Sequence, residues 1–203
     1  MKVIFFTYAY PPLKYPRSSQ IARLVKHSRH EIHVVCCEDD SPKDETLHAA
    51  AGPAPGDVTR LALAPRRRLD PRRAMDLVVQ PDSLRRWALG AGERVLSERC
   101  AEPGTILVTF GQPMSDHLAG LRAKRKTGVR WLAHFSDPWA DSPYRRQRFY
   151  PAWHNRRMER SVVSRADRVV FTSEATRDLV MRKYPPEWGN KLSRLSAVHF
   201  PPL

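Results

Sequence analysis

Lys2-Val3-Ile4-Phe5-Phe6-Thr7 opens the chain as one unbroken apolar run. A strand with one wet face alternates apolar and polar residues. A strand covered on both faces does not, and that is the mark of a buried parallel sheet. Tyr8 to Arg17 follows with Pro11, Pro12 and Pro16, so it reads as a loop. Ser18 or Ser19 then caps a helix whose apolar face is Ile21, Ala22, Leu24 and Val25. Glu31 to Cys37 returns as a second strand through Ile32, Val34 and Val35. Strand, helix and strand in that order make a βαβ unit, whose crossover is expected to be right-handed.

The alternation continues outward from this unit. Glu38 to Gly56 is acidic, then rich in Ala, Gly and Pro, and reads as a mobile loop. Asp57 to Leu63 reads as a third strand, and Pro65 to Pro71 as a basic loop inserted within the sheet. A helix is expected from about Asp82 to Arg99, with Leu84, Ala88, Ala91 and Val95 at helical spacing and Trp87 beside that stripe. Thr105 to Phe110 is a fourth strand, followed by a helix with Pro113 near its first turn and Gly128 after its end. Val129 to Phe135 is a fifth strand. Asp137 to Phe149 reads as a loop, and about Ala152 to Arg165 as a helix with Met158, Val162 and Val163 inward. Arg168 to Thr172 is a sixth strand. Ser173 or Glu174 opens a helix that ends before Pro185, and Leu195 to Phe200 reads as a last short strand. Strands alternating with helices predict an α/β fold: a doubly wound, mostly parallel sheet with helices on both faces. With no internal repeat, residues 1–203 read as one domain.

Charge and cysteine usage narrow the function classes. The chain carries 35 basic and 21 acidic residues, a net charge of +14. Clusters fall at Arg66-Arg67-Arg68, Arg72-Arg73, Arg122 to Lys126, Arg145 to Arg148 and Arg156-Arg157. They fit an anionic partner, whether membrane, nucleic acid or phosphorylated substrate, and equally fit a solvated arginine-rich surface. The three cysteines, Cys36, Cys37 and Cys100, have neither disulfide nor zinc spacing and point to a reduced, cytoplasmic setting. Peripheral docking on the inner face of the membrane is compatible with that setting. The opening run is too short for a signal peptide, and no stretch approaches the roughly 18 apolar residues of a membrane span.

The chemistry-bearing residues gather where strands end. In an open α/β sheet, ligands bind outside the carboxyl ends of the strands. The first loop brings Tyr10, Pro11, Pro12, Arg17 and Ser18 toward a helix N-terminus, a natural anion site; its other reading is a proline-stiffened turn with a surface arginine. After the fourth strand come Gly111, Gln112, Ser115 and His117. Trp131 to Trp139 reads as a strand ending in His134-Phe135-Ser136-Asp137-Pro138-Trp139, a wall of a binding cleft. Asp137 can orient a sugar-like hydroxyl or take its proton, His134 can do the same near neutral pH, and Trp139 offers an apolar face for a sugar ring. The other reading is that Asp137 caps a turn before Pro138, Trp139 is core and His134 points into the sheet. Strand alternation sets His134 and Phe135 on opposite faces, so they cannot both point into one pocket. Beside the first loop and the turn after the fourth strand, Asp137 is preferred over His134. Ser173 and Glu174 follow the sixth strand, with a plain helix cap as the default reading of Ser173. Gly-x-Gly-x-x-Gly, a P-loop, Gly-x-Ser-x-Gly and metal-ligand spacing are all missing.

Four stretches together resemble the N-terminal domain of GT-B glycosyltransferases of the family 4 kind. They are Lys2 to Pro12, with its opening strand and Pro-Pro turn; Phe110 to His117, a turn before a helical His; Trp131 to Trp139, a strand ending in Asp-Pro-Trp; and Glu159 through Ser173, which carries Glu159, Ala166-Asp167-Arg168-Val169 and Ser173. The resemblance implies a Rossmann-like, acceptor-binding half. Its enzymes transfer a sugar from a nucleotide-sugar donor, without a cofactor and usually without a metal. It implies a donor-side loop at Tyr10, Pro11, Pro12, Arg17 and Ser18. It implies acceptor contacts at Gly111, Gln112, Ser115, His117, Ser136, Trp139, Ser173 and Glu174, with Asp137 or His134 at the reacting centre. The first loop departs from the family in lacking its Gly-Gly. The domain that holds most of the nucleotide is not expected within these residues, so a donor-domain protein or second chain is the expected partner, with a glycan or lipid-linked acceptor. The competing reading is a non-catalytic scaffold docking on anionic membrane or a protein through its arginine clusters. Nucleic acid is the weakest partner, because no recognised module for it is present.

Overall fold

The computed structural model describes residues 2–51, 57–63, 82–142 and 149–191. Its centre is one six-stranded sheet, all parallel, in the order β3-β2-β1-β4-β5-β6. The strands are β1 (Lys2–Phe6), β2 (Glu31–Glu38), β3 (Val58–Ala62), β4 (Ile106–Phe110), β5 (Arg130–Phe135) and β6 (Arg168–Phe171). The order reverses between β1 and β4, and the crevice above that point is where such folds bind ligands.

The unbroken apolar runs of the strands divide between two cores. Ile4 and Phe6 of β1 point into one, Val3 and Phe5 into the other. Helix α1 (Pro16–Lys26) covers the second core with Ile21 and Val25. It has Tyr15 as N-cap and Pro16 in its first turn, with no side-chain cap. Ser18, expected as a cap, is instead fully buried on the inner face of α1. Pro16 moves the cap from Ser18 or Ser19 to Tyr15, at least three residues earlier, because its fixed φ suits the first helical position.

Helix α2 (Glu45–Ala51) occupies part of the segment expected to be loop. Asp44 explains it: its Oδ1 accepts the backbone N–H of Thr46 and Leu47 at 3.0 and 3.1 Å, ahead of an alanine-rich helix-forming run. The Pro65–Pro71 loop, the clusters at Arg66–Arg68, Arg72–Arg73 and Arg145–Arg148, and the Leu195–Phe200 strand lie outside the described residues.

Helix α3 joins three pieces: an α-helical turn Arg85–Trp87, a π-helical turn Ala88–Gly92 and an α-helical segment Glu93–Arg99. The wider turn holds an extra residue and rotates the inward face. Of the expected stripe, Ala88 is buried and Val95 packs half-buried on the core, but Ala91 is exposed, and Trp87, Gly92 and Leu96 are buried as well. Trp87 stacks on Phe6 with ring centroids 5.2 Å apart. A Cβ on Gly92 would lie 2.5 Å from Phe6 Cζ, so only glycine lets α3 come this close to β1.

Helices α4 (Ser115–Thr127), α5 (Phe149–Arg165) and α6 (Glu174–Met181) complete the fold. Gly128, with φ of 71°, ends α4 in the left-handed conformation. Met158 is half-buried against the first core, where Val162 and Val163 are buried. A 3-10 turn spans Pro186–Lys191. No helix among the described residues is long and apolar enough to cross a membrane.

Candidate functional site

Arg17, in the first turn of α1, reaches across the switch point from β1 toward β4 and β5. Its guanidinium donates to the Gly111 carbonyl beyond β4 and to Ser136 Oγ beyond β5. The Ser136 hydroxyl also lies 2.9 Å from that carbonyl and 2.8 Å from Asp137 Oδ2, and can donate to one of them at a time. Three loops thus meet at one half-buried cation with a carboxylate beside it. Burial draws the Arg17 pKa down, while Asp137 and then Asp116 oppose the shift. The arrangement offers a fixed guanidinium, a hydroxyl and an accessible carboxylate to a polar ligand.

Two histidines flank this centre on opposite faces of the sheet. His134 packs against Phe110, with centroids 5.3 Å apart, and its Nδ1 is buried with no partner among the described residues. Burial, and then Arg17, push its pKa down to about 4. His117 is fully buried against Phe135, with centroids 4.5 Å apart. Burial, then His134 and Arg17, push it down to about 3. Both rings are therefore neutral at pH 7.

His117 ends a buried chain of hydrogen bonds. Trp131 Nε1 donates to Thr109 Oγ1 at 2.9 Å, and Thr109 Oγ1 lies 2.8 Å from His117 Nδ1. Indole can only donate, so Thr109 Oγ1 accepts from Trp131, and the hydroxyl can donate to Nδ1 or accept a second proton from it. Nε2 has no partner among the described residues and stands close to Gly111. A Cβ on Gly111 would come within 2.8 Å of that nitrogen. The loop after β4 thus needs glycine to accept the imidazole beneath it.

Other candidates are occupied structurally. Trp139 is 3% exposed, lies in the core, and donates from Nε1 to Asn155 Oδ1 at 3.1 Å, so it has no free face for a sugar ring. Ser115 is fully buried and donates to Asp82 Oδ1 at 2.6 Å. Tyr10 belongs to the core under α1. The Pro11 and Pro12 carbonyls accept from Arg60 at 2.7 Å and from the Asp44 backbone N–H at 2.7 Å. Ser18 has no access to solvent. Gln112 is exposed at the rim. Ser173 caps α6, its Oγ accepting the Thr176 N–H at 3.1 Å, and Glu174 is exposed in the first turn of that helix. Ser173→Ala is expected to cost about 1 kcal/mol, read as a lower urea midpoint. An unchanged midpoint would mean the cap carries no stability.

The sequence of the chain matches the family described as "Glycosyl transferase 4-like domain" over residues 16–188. The chain belongs to this glycosyl transferase 4-like family. The fold agrees with that of a solved GT-B glycosyltransferase, UGT2 of Phytolacca americana, complexed with UDP-2fluoro-glucose and pterostilbene, at TM-score 0.56 and 12% identity, covering 96% of this chain and 53% of that one. A UDP-glucosyltransferase from Polygonum tinctorium capable of glucosylating indoxyl aligns at TM-score 0.46 and 16% identity, covering 91% of this chain and 49% of that one. The chain spans about half the length of these structures. No curated protein sequence matches it.

The glycosyl transferase 4-like domain holds its Asp-Pro-Trp loop from below with a residue that pattern reading undervalued. Glu159 of α5 is fully buried and accepts from the Ala140 N–H at 2.8 Å, Lys183 Nζ at 2.6 Å and Tyr184 Oη at 2.6 Å. This fixes the backbone three residues after Asp137. Asp167, also part of the resemblance, accepts the Trp131 N–H at 2.8 Å at the other end of β5. Asp116, Thr109 and Asp82 were not among the sequence candidates. Asp116 is fully buried beside His117; its Oδ2 accepts the Tyr8 N–H at 2.9 Å, and its Oδ1 has no partner among the described residues. Burial raises its pKa well above the carboxylate range; Asp82 adds to the rise, against the Tyr8 hydrogen bond and Arg17. The one sequence signal for Asp116 was its place in the first turn of α4, next to a histidine. The three cysteines are free and buried, and burial pushes their thiols up to about 11 for Cys36 and about 12 for Cys37 and Cys100, so they are poor nucleophiles.

Proposed function

We propose that this domain is the acceptor-side half of a glycosyltransferase that moves a sugar from a nucleotide-sugar donor to a glycan or lipid-linked acceptor. The observation that carries this reading is the junction of Arg17, Gly111, Ser136 and Asp137 above the switch point, in a chain of the glycosyl transferase 4-like family. In the transfer, the bond between the sugar's anomeric carbon and the donor phosphate oxygen breaks. The nucleoside diphosphate leaves with the electron pair, and the acceptor oxygen bonds to that carbon and loses its proton. Asp137 orients the acceptor hydroxyl and takes that proton. Arg17 holds Ser136, whose hydroxyl lies 2.8 Å from Asp137, and faces developing negative charge. No cofactor takes part. The rest of the donor site is contributed by a second domain.

Nucleoside diphosphate release tests this directly. The domain is combined with candidate donor-binding domains, nucleotide sugars and acceptors. Release is expected only when both domains and an acceptor are present. No release with any partner, across a broad donor and acceptor panel, would reject the catalytic reading and leave the docking scaffold in its place.

A further inference from the structure

A groove of about 680 Å³ lies away from the Arg17 junction, between α5 and the turn after α6. Neither Arg17, Gly111, Ser136 nor Asp137 lines it. Trp153, Arg156, Arg157 and Arg160 follow one another at i, i+3, i+4 and i+7 on α5, the spacing that sets side chains along one helix face. Arg182 and Lys183 close the groove from the other side, and Asp141 is the one carboxylate in its lining.

The ion pairs leave a marked excess of positive charge. Lys183 bonds Asp141 Oδ2 at 2.7 Å and Glu159 Oε1 at 2.6 Å, and Arg156 reaches Asp141 Oδ1 at 3.3 Å. Asp141, the groove's carboxylate among the described residues, is thereby spent. No carboxylate pairs with Arg157, Arg160 or Arg182 among the described residues. Arg157 stands over the Trp153 ring at 5.7 Å and Arg160 over Trp188 at 5.8 Å, which orders their side chains and leaves their N–H forks available. Trp153 is itself 51% exposed, an unusual place for a large aromatic.

We propose that this groove binds a phosphate or pyrophosphate group. Guanidinium forks match phosphate oxygens two at a time, and a multiply charged anion balances several unpaired arginines where a single carboxylate does not. Trp153 supplies an apolar wall for the carbon that carries the phosphate. The site stands whether or not the strand-end junction performs transfer.

Titration calorimetry with inorganic pyrophosphate at low salt tests the site. Saturable binding is expected. Arg157→Gln/Arg160→Gln should weaken it at least about 10-fold, and Arg182→Gln should weaken it too. Arg94→Gln/Arg125→Gln, which removes the same charge elsewhere on the surface, should leave it unchanged. Matching thermal midpoints show that the variants are folded. The phosphate can belong to a soluble molecule or to a lipid headgroup. Flotation with vesicles of phosphatidic acid in phosphatidylcholine separates the two: flotation that pyrophosphate displaces assigns the groove to a lipid phosphate, and its absence assigns it to a soluble ligand. The proposal is overturned if pyrophosphate does not saturate, or if the control variant loses binding as much as the groove variants.

Discussion

Gly120→Ala is expected to lower the thermal midpoint by roughly 5–10 °C, although alanine is the better helix former. Gly120 lies within α4, where the helix crosses β4 and β5. A Cβ there would stand 2.6 Å from Thr109 Cγ2 and 2.8 Å from Trp131 Nε1. Neither neighbour has room to move. Thr109 and Trp131 are buried and bonded to each other at 2.9 Å, and Thr109 is bonded in turn to His117 at 2.8 Å. Overpacking of this kind costs about 1–3 kcal/mol or more, against a propensity gain of about 1 kcal/mol. With both neighbours pinned the overpacking cost is expected to reach about 3–4 kcal/mol, so the net loss is about 2–3 kcal/mol, which in a domain of this size gives the stated shift. Gly90→Ala is the control, since nothing lies within 4 Å of its Cβ position. Equal midpoints for the two variants would mean that α4 can lift off the sheet at little cost.

The second large effect is a loss of stability on acidification that runs through His117. Its folded pKa is pushed down to about 3 by burial, while an unfolded histidine titrates near 6.5. Below about pH 6.5 the unfolded chain therefore binds a proton that the folded chain refuses. The stability owed to the neutral ring is complete above that pH and falls as pH drops toward 3, by about 1.4 kcal/mol per pH unit. Between pH 7 and pH 4 this amounts to about 3 kcal/mol. His134, pushed down to about 4, acts in the same direction over a narrower window. Asp116, with its raised pKa, acts in the opposite direction. Asp57, Glu93 and Asp141, whose pKa values are lowered, add their loss mainly near pH 4 and below. The measurement is therefore a difference: urea unfolding of the wild type and of His117→Gln from pH 7 to pH 4. The wild type should lose about 3 kcal/mol more than the variant. Parallel curves would show that His117 takes up its proton in the folded state.

Where sequence patterns misled, packing supplies the reason. The stripe through Leu84, Ala88, Ala91 and Val95 assumed a uniform helical period, and the π-helical turn Ala88–Gly92 broke it to bring Gly92 under Phe6. Ser18 has the chemistry of a cap, yet Pro16 started α1 earlier and turned Ser18 inward. Trp139 sits in a loop next to a candidate carboxylate, but its apolar bulk was better used in the core. In α3 and at Trp139 a contact between distant segments overrode the local rule, whereas at Ser18 a second local rule, proline at the first helical position, outranked the first.

The sequence by itself determined the class of the fold, the order of its six strands and of the described helices other than α2, and the strand ends at which polar residues collect. Those features follow from short-range periodicity, because burial on both faces needs unbroken apolar runs and turns need Pro and Gly. Only the tertiary structure decided which polar residues meet. Arg17 reaches Gly111 across 94 positions and Ser136 across 119. The arginines of α5 become a groove only because Arg182 and Lys183 are brought opposite them. Such meetings depend on where parallel strands align and helices cross, which no local pattern of residues specifies.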